Sequence, residues 1–134
     1  MRASVTRSEG FRNSVTIRSH ELTIDEEADL GGTDAGPNPL ELLAGSLAGC
    51  VAITMEMYAQ RKGWEVGEIG VDVDFSPAER GTPTKFEIVL RLPENLTEEQ
   101  TERLAVIAAK CPVHRVLDGE VMFDERVERT ALAG

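Results

Sequence analysis

The stretch LELLAGSLAGCVAITMEMYAQRKG, running from Leu40 to Gly63, constrains this chain more than any other. Leu43, Leu47, Val51 or Cys50, Thr54 and Tyr58 recur at three- and four-residue spacing, which predicts a long helix with an apolar stripe. Asn38 is a good N-cap, and Pro39 suits the first helical position, where a missing N–H costs nothing. At the other end Arg61 and Lys62 sit at the negative pole of the helix dipole, and Gly63 offers a C-cap. Apolar residues also fall off the stripe, so the helix is expected to be buried on most sides. A small domain with few other helices cannot cover it alone, which points to a second subunit. Glu41 and Glu56 interrupt the run and argue against a membrane span.

The elements on either side set the fold class. Val5, Val15, Ile17, Leu22 and Ile24 fall among polar residues at spacings near two, predicting two or three short strands before Glu27. Turns are expected at Ser8-Glu9-Gly10 and near His20-Glu21. LGGTDAGPNP, Leu30 to Pro39, suits no regular element and reads as a loop. After the helix, Ile69, Val71, Val73 and Phe75 alternate with Gly70, Asp72 and Asp74, and Phe86, Ile88, Leu90 and Leu92 repeat the pattern around Glu87, Val89 and Arg91. Thr97 and Gln100 form a capping box for a second helix, with Leu104, Ile107 and Ala108 on its apolar face. Cys111-Pro112 interrupts that helix and opens a shorter one, and Glu120 to Arg129 reads as a final strand. The predicted order is βββ-α-ββ-αα-β, an α+β fold in one domain over residues 1–134. At 134 residues such a domain buries about two-thirds of its unfolded surface and needs no disulfide or metal staple.

Charge and cysteine count exclude several functions. A net charge of -10 argues against nucleic acid or an anionic membrane as the main partner, since both require positive charge. No charged-then-apolar leader opens the sequence, so a cytoplasmic protein is expected. Two cysteines do not make a disulfide scaffold; in a reducing compartment they point to redox chemistry, metal binding or plain packing.

Cys50 lies in the small-residue run Ala44-Gly45-Ser46-Leu47-Ala48-Gly49, where another backbone or a substrate can approach closely, although a cysteine in an apolar helix is ordinarily a small core hydrophobe. Cys111, ahead of Pro112, would be the N-cap of the next helix, where free N–H groups and the dipole favour thiolate over thiol. Pro112 as a mere helix stop is the competing reading. Cys111-Pro112-Val113-His114 is half of a zinc motif without its second half; only Cys50 and His20 remain, so no metal is expected and His114 reads as a surface or hydrogen-bonding residue. The glycines of Leu30 to Gly36 lack the phosphate-loop lysine, and no serine-hydrolase elbow or zinc-protease motif is present.

Taken together, Asp25-Glu26-Glu27, the loop from Leu30 to Pro39, Glu41-Leu42-Leu43-Ala44, Leu47-Ala48-Gly49-Cys50, Tyr58 to Trp64 and Leu104 to Arg115 resemble the OsmC/Ohr family, that of osmotically inducible protein C and organic hydroperoxide resistance protein. The resemblance covers most of the chain, with a motif around each cysteine. It implies a thiol-dependent peroxidase in an intertwined homodimer, with its active sites at the subunit interface and the long helix buried there. It implies that Cys50 attacks an organic hydroperoxide and becomes sulfenic acid, that Cys111 resolves it as a disulfide, and that a dithiol, lipoyl-type in the peroxidase branch, reduces the disulfide. Neither haem nor flavin is needed, so no cofactor is expected. The resemblance also implies an N-terminal arginine beside Cys50, placed at Arg12 by the strand register, with Arg18 the alternative.

Two departures from the family pattern matter. The peroxidase branch has Asn-Pro-Glu, the glutamate holding the arginine, where this chain has Asn38-Pro39-Leu40 with Glu41 one position late. One residue is about 100° around a helix, so Glu41 faces elsewhere. Cys-Pro-Val-His also replaces the Cys-Pro-Tyr-Ser or Cys-Pro-Val-Ser of the better-known branches. The alternative function is a non-enzymatic dimer that binds a small apolar ligand or senses thiol oxidation.

Overall fold

Hydrophobic alternation in the first two dozen residues produces a meander of three antiparallel strands: β1 (Ser4–Glu9), β2 (Arg12–Ile17) and β3 (His20–Ile24), in that spatial order. The computed structural model describes residues 1–131. The second turn falls at Arg18-Ser19, next to His20 as expected, with His20 already paired to Ile17. Only Val15 is buried in this sheet, whose strands make substantial contact with one another and with no other element.

The helix α1 (Pro39–Lys62) follows the expected boundaries. Asn38 and Glu41 form a reciprocal capping box, and Gly63 closes the helix with φ 71°, a left-handed value that a Cβ would strain. Leu47, Val51, Met55 and Ala59, one every fourth position, form its buried ridge, with Leu43, Cys50, Thr54 and Tyr58 half-buried beside it. By length and composition α1 is apolar enough to cross a membrane, despite Glu41 and Glu56. Its ridge instead packs on other elements of the same chain.

Those elements are the hairpin β4 (Gly70–Ser76) and β5 (Lys85–Arg91), and the helices α2 (Glu98–Ala108) and α3 (Pro112–Asp118). Val71, Val73, Phe86, Ile88 and Leu90 line the inner face of the hairpin, while Asp72 and Arg91 pair across its outer face. Leu104 and Ala108 of α2 close the core, and the Arg103 Nε donates to the Tyr58 hydroxyl at 2.9 Å to fasten α2 to α1. The result is a mixed α+β fold with two small antiparallel sheets, as the alternation and capping signals predict.

The strand expected over Glu120 to Arg129 is not formed. After α3 the described residues carry no regular structure, and Met122 is 96% exposed, Phe123 83% and Val127 89%. A strand needs a sheet edge to satisfy its backbone, and this segment pairs with none among the described residues. On α1, Ile53 and Met57 are likewise exposed opposite the buried ridge.

Candidate functional site

The two cysteines, distant in sequence, meet where α1 passes the start of α3. Pro112 occupies the first position of α3 and has no N–H, so the first free donors of the helix belong to Val113 and His114. Each is given to a sulfur. Val113 N donates to Cys50 Sγ at 3.4 Å, and His114 N donates to Cys111 Sγ at 3.3 Å. Both thiols are free, Cys50 half-buried and Cys111 fully buried.

Cys111 is the N-cap of α3, as its position before proline predicts, but the expected consequence does not follow. Burial pushes its thiol pKa up, the His114 N–H only partly offsets this, and the neighbouring Cys50 sulfur raises it further. The cap position was legible in the sequence; the desolvation that overrides it was not. Burial thus disfavours the Cys111 thiolate, and the more accessible sulfur is Cys50.

Between α1, the hairpin and α3 lies an open cleft of about 530 Å³. Leu43 and Leu47 of α1, Phe75, Phe86 and Ile88 of the hairpin, and Leu117 supply its apolar wall, and His114 and Asp118 its polar rim. Leu47 stands three residues before Cys50 on the same helix, and His114 is the residue whose amide holds Cys111, so the cleft shares α1 and α3 with the two cysteines, although neither cysteine lines it. His114 thus lies half-buried at a cleft rim. Among the described residues, no three His, Cys, Asp or Glu side chains converge on a metal-binding geometry.

The arginine is held elsewhere. Arg12, on β2 opposite Glu9, donates from Nη2 to Thr33 Oγ1 at 3.1 Å, and its buried Nε has no hydrogen-bond partner among the described residues. Arg18 lies exposed in the β2–β3 turn with φ 54°. Neither arginine hydrogen-bonds a thiol among the described residues, and their strands make no substantial contact with α1. Glu41 turns its carboxylate back to the Asn38 N–H at 2.9 Å, and Leu40 is exposed.

Two residues that the sequence reading assigned no role complete this region. Asp25, 1% exposed, accepts from the Thr33 hydroxyl at 2.6 Å and from the backbone N–H groups of Glu26, Thr33 and Ala35 at 2.8, 3.2 and 3.1 Å. The Thr33 hydroxyl bond, with the three backbone donors, holds its carboxyl down at about 2 against the cost of burial. A carboxylate just before a glycine-rich loop, whose N–H groups have no ladder partner, was the available signal. The loop is shaped around this group: a Cβ on Gly32 would overlap the Glu26 carbonyl.

Comparison with known proteins places this geometry in context. The family model of OsmC-like protein matches residues 32–126. No curated protein sequence matches the chain significantly. Among solved structures, the OsmC-like protein of Mycoplasma pneumoniae superposes with a TM-score of 0.74 at 18% identity, over 88% of this chain and 86% of that one. The organic hydroperoxide resistance protein OsmC of Legionella pneumophila gives 0.62 at 18% identity, over 89% and 90%. The organic hydroperoxide resistance protein OhrB of Bacillus subtilis gives 0.60 at 25% identity, over 89% and 92%.

Proposed function

The chain belongs to the family of OsmC-like proteins, and from that premise we propose that it is a cysteine-based peroxidase that reduces organic hydroperoxides. The observation that carries the reading is the pair of free thiols sharing the first two donors of α3, the helix that also lines a cleft with an apolar wall. The resistance to organic hydroperoxides in the names of the Legionella and Bacillus proteins agrees with it.

In this mechanism the Cys50 thiolate attacks the terminal oxygen of the hydroperoxide. The O–O bond breaks, the alkoxide takes a proton and leaves as the alcohol, and Cys50 becomes sulfenic acid. The Val113 N–H stabilises the attacking sulfur anion, and the cleft takes the organic group. Cys111 then attacks the Cys50 sulfur as it gives up its proton; that proton and the sulfenic hydroxyl leave as water and a disulfide forms. A dithiol of the lipoyl class returns both sulfurs to the reduced state.

The active unit in this reading is a homodimer. Within one chain Ile53 and Met57 on α1, and Val121, Met122, Phe123 and Val127 after α3, are exposed apolar groups, and a second copy would cover them. The same copy would bring an Arg12 to the thiols that its own chain does not provide.

One observation favours the alternative of an apolar-ligand binder or thiol sensor: Glu41 caps its own helix and leaves Arg12 alone. Turnover of cumene hydroperoxide with dihydrolipoamide separates the two. The peroxidase reading expects sustained turnover that Cys50→Ser abolishes, with sulfenic or overoxidised Cys50 trapped in Cys111→Ser. Oxidation no faster than that of a free thiol, whatever the donor, would overturn it in favour of the alternative.

A further inference from the structure

We propose that Asp25 and Thr33 are a positioning pair that fixes the guanidinium of Arg12 for its work at the thiol. The proposal rests on the reading of Arg12 as the cation that serves Cys50.

The direction of the hydrogen bonds is settled by counting protons. A threonine hydroxyl has one proton to give and lone pairs to receive with. The Thr33 proton goes to Asp25 Oδ2 at 2.6 Å, because the carboxylate can only accept. Its oxygen is then left to accept from Arg12 Nη2 at 3.1 Å. The chain runs one way, from guanidinium through hydroxyl to carboxylate, and a hydroxyl polarised by an anion is a better acceptor for a cation.

The far end of this chain is held by several hydrogen bonds. Both Asp25 oxygens are engaged, Oδ1 by the Glu26 N–H and Oδ2 by Thr33 and Ala35. The loop carrying Thr33 is folded against the same strand end: Asp34 N donates to the Glu26 carbonyl at 3.0 Å and Asp25 N to the Pro37 carbonyl at 3.2 Å. The Glu41 carboxylate is engaged with the Asn38 N–H, and Glu41 makes no hydrogen bond to Arg12 among the described residues. Asp25 is thus the anion tied to Arg12, through Thr33. At the near end, the buried Arg12 Nε has no partner among the described residues, so the bond from Nη2 to Thr33 is the side-chain hydrogen bond that anchors the guanidinium there.

A loop staple alone would also explain Asp25, so the test isolates the link to Arg12. Thr33→Val removes the hydroxyl but keeps the three backbone bonds to Asp25; Thr33→Ser keeps the hydroxyl. In the full-length Cys111→Ser protein, the rate of Cys50 alkylation by iodoacetamide at neutral pH reads the thiolate that Arg12 stabilises, without any turnover. Thr33→Val is expected to slow alkylation about tenfold, the scale of a lost charge-assisted hydrogen bond. Thr33→Ser is expected to restore it. Arg12→Met should slow it as much, and adding Thr33→Val to Arg12→Met should change nothing more. An unchanged rate in Thr33→Val beside a slowed Arg12→Met would overturn the pair while leaving Arg12 in place. An unchanged rate in Arg12→Met would overturn the reading of Arg12 and the pair with it. Failure of Thr33→Ser to restore the rate, or additive losses in the double variant, would show that Thr33 acts through the fold and would also overturn the proposal.

Discussion

Val113 gives its N–H to the Cys50 sulfur across 63 positions of chain, at 3.4 Å. The next residue, His114, gives its N–H to Cys111 at 3.3 Å, so one turn of helix addresses both thiols of the protein. The arrangement is asymmetric. Both sulfurs receive a donor, but only Cys111 pays the full desolvation of a buried site, and its pKa rises in consequence.

That asymmetry predicts the order in which the thiols react. With limiting iodoacetamide near neutral pH, Cys50 is expected to be modified before Cys111, because burial both raises the Cys111 pKa and screens its sulfur from the reagent. Peptide mass mapping at short times reads the order. Equal labelling, or Cys111 first, would contradict the assignment of attacking and resolving roles. Unfolding the chain should erase the difference.

Asp25 carries a prediction about acid stability. Its carboxyl lies near 2 when folded and near 3.8 otherwise, so its contribution is fully present above the unfolded value and disappears as pH falls through the folded one. The wild-type denaturation midpoint should therefore drop between about pH 4 and pH 2 more steeply than that of Asp25→Asn, which has no proton to take up at this site. Parallel slopes for the two proteins, by thermal unfolding across that range, would count against the buried carboxylate as a source of stability.

How much of this was legible beforehand depended on whether the determinant was local. Asn38, Thr97, Gly63 and the alternation from Ile69 to Leu92 specify caps and strands through neighbours a few residues away, and these features formed as expected. The Cys111 N-cap was equally local. Its raised pKa was not, because burial depends on the packing of α1 and α2 around it. The Asp25–Thr33–Arg12 chain likewise joins three segments through a loop whose shape no short pattern encodes. Glu120 to Arg129 has strand periodicity, but periodicity supplies no partner edge. Its exposure states what the sequence pattern lacked.

The exposed segment after α3 predicts how the chain associates. If a second copy covers Val121, Met122, Phe123 and Val127, light scattering should give a mass near twice 14.6 kDa. Phe123→Asp should then weaken association about thirtyfold, the equivalent of about 2 kcal/mol for a charge placed at a buried apolar anchor. A monomer at micromolar concentration, or a Phe123→Asp protein that dimerises as well as wild type, would remove this segment from the interface.

Glu41 supplies the last prediction, because two roles for it make opposite demands. It is one position late for the family glutamate, and its carboxylate accepts the Asn38 N–H while its own N–H is given to the Asn38 side chain at 2.8 Å. That reciprocal pair makes it a helix cap, whose loss costs about 1 kcal/mol of stability. Glu41→Ala is therefore expected to lower the unfolding free energy by about that amount in urea and to leave hydroperoxide turnover within about twofold of wild type. A residue that held the catalytic arginine would behave in the reverse way, with turnover falling by orders of magnitude and stability little changed. Since Thr33 and Asp25 already engage Arg12 in this chain, the first outcome is the one the hydrogen bonds require. The second would mean that Arg12 changes partners when the subunits assemble.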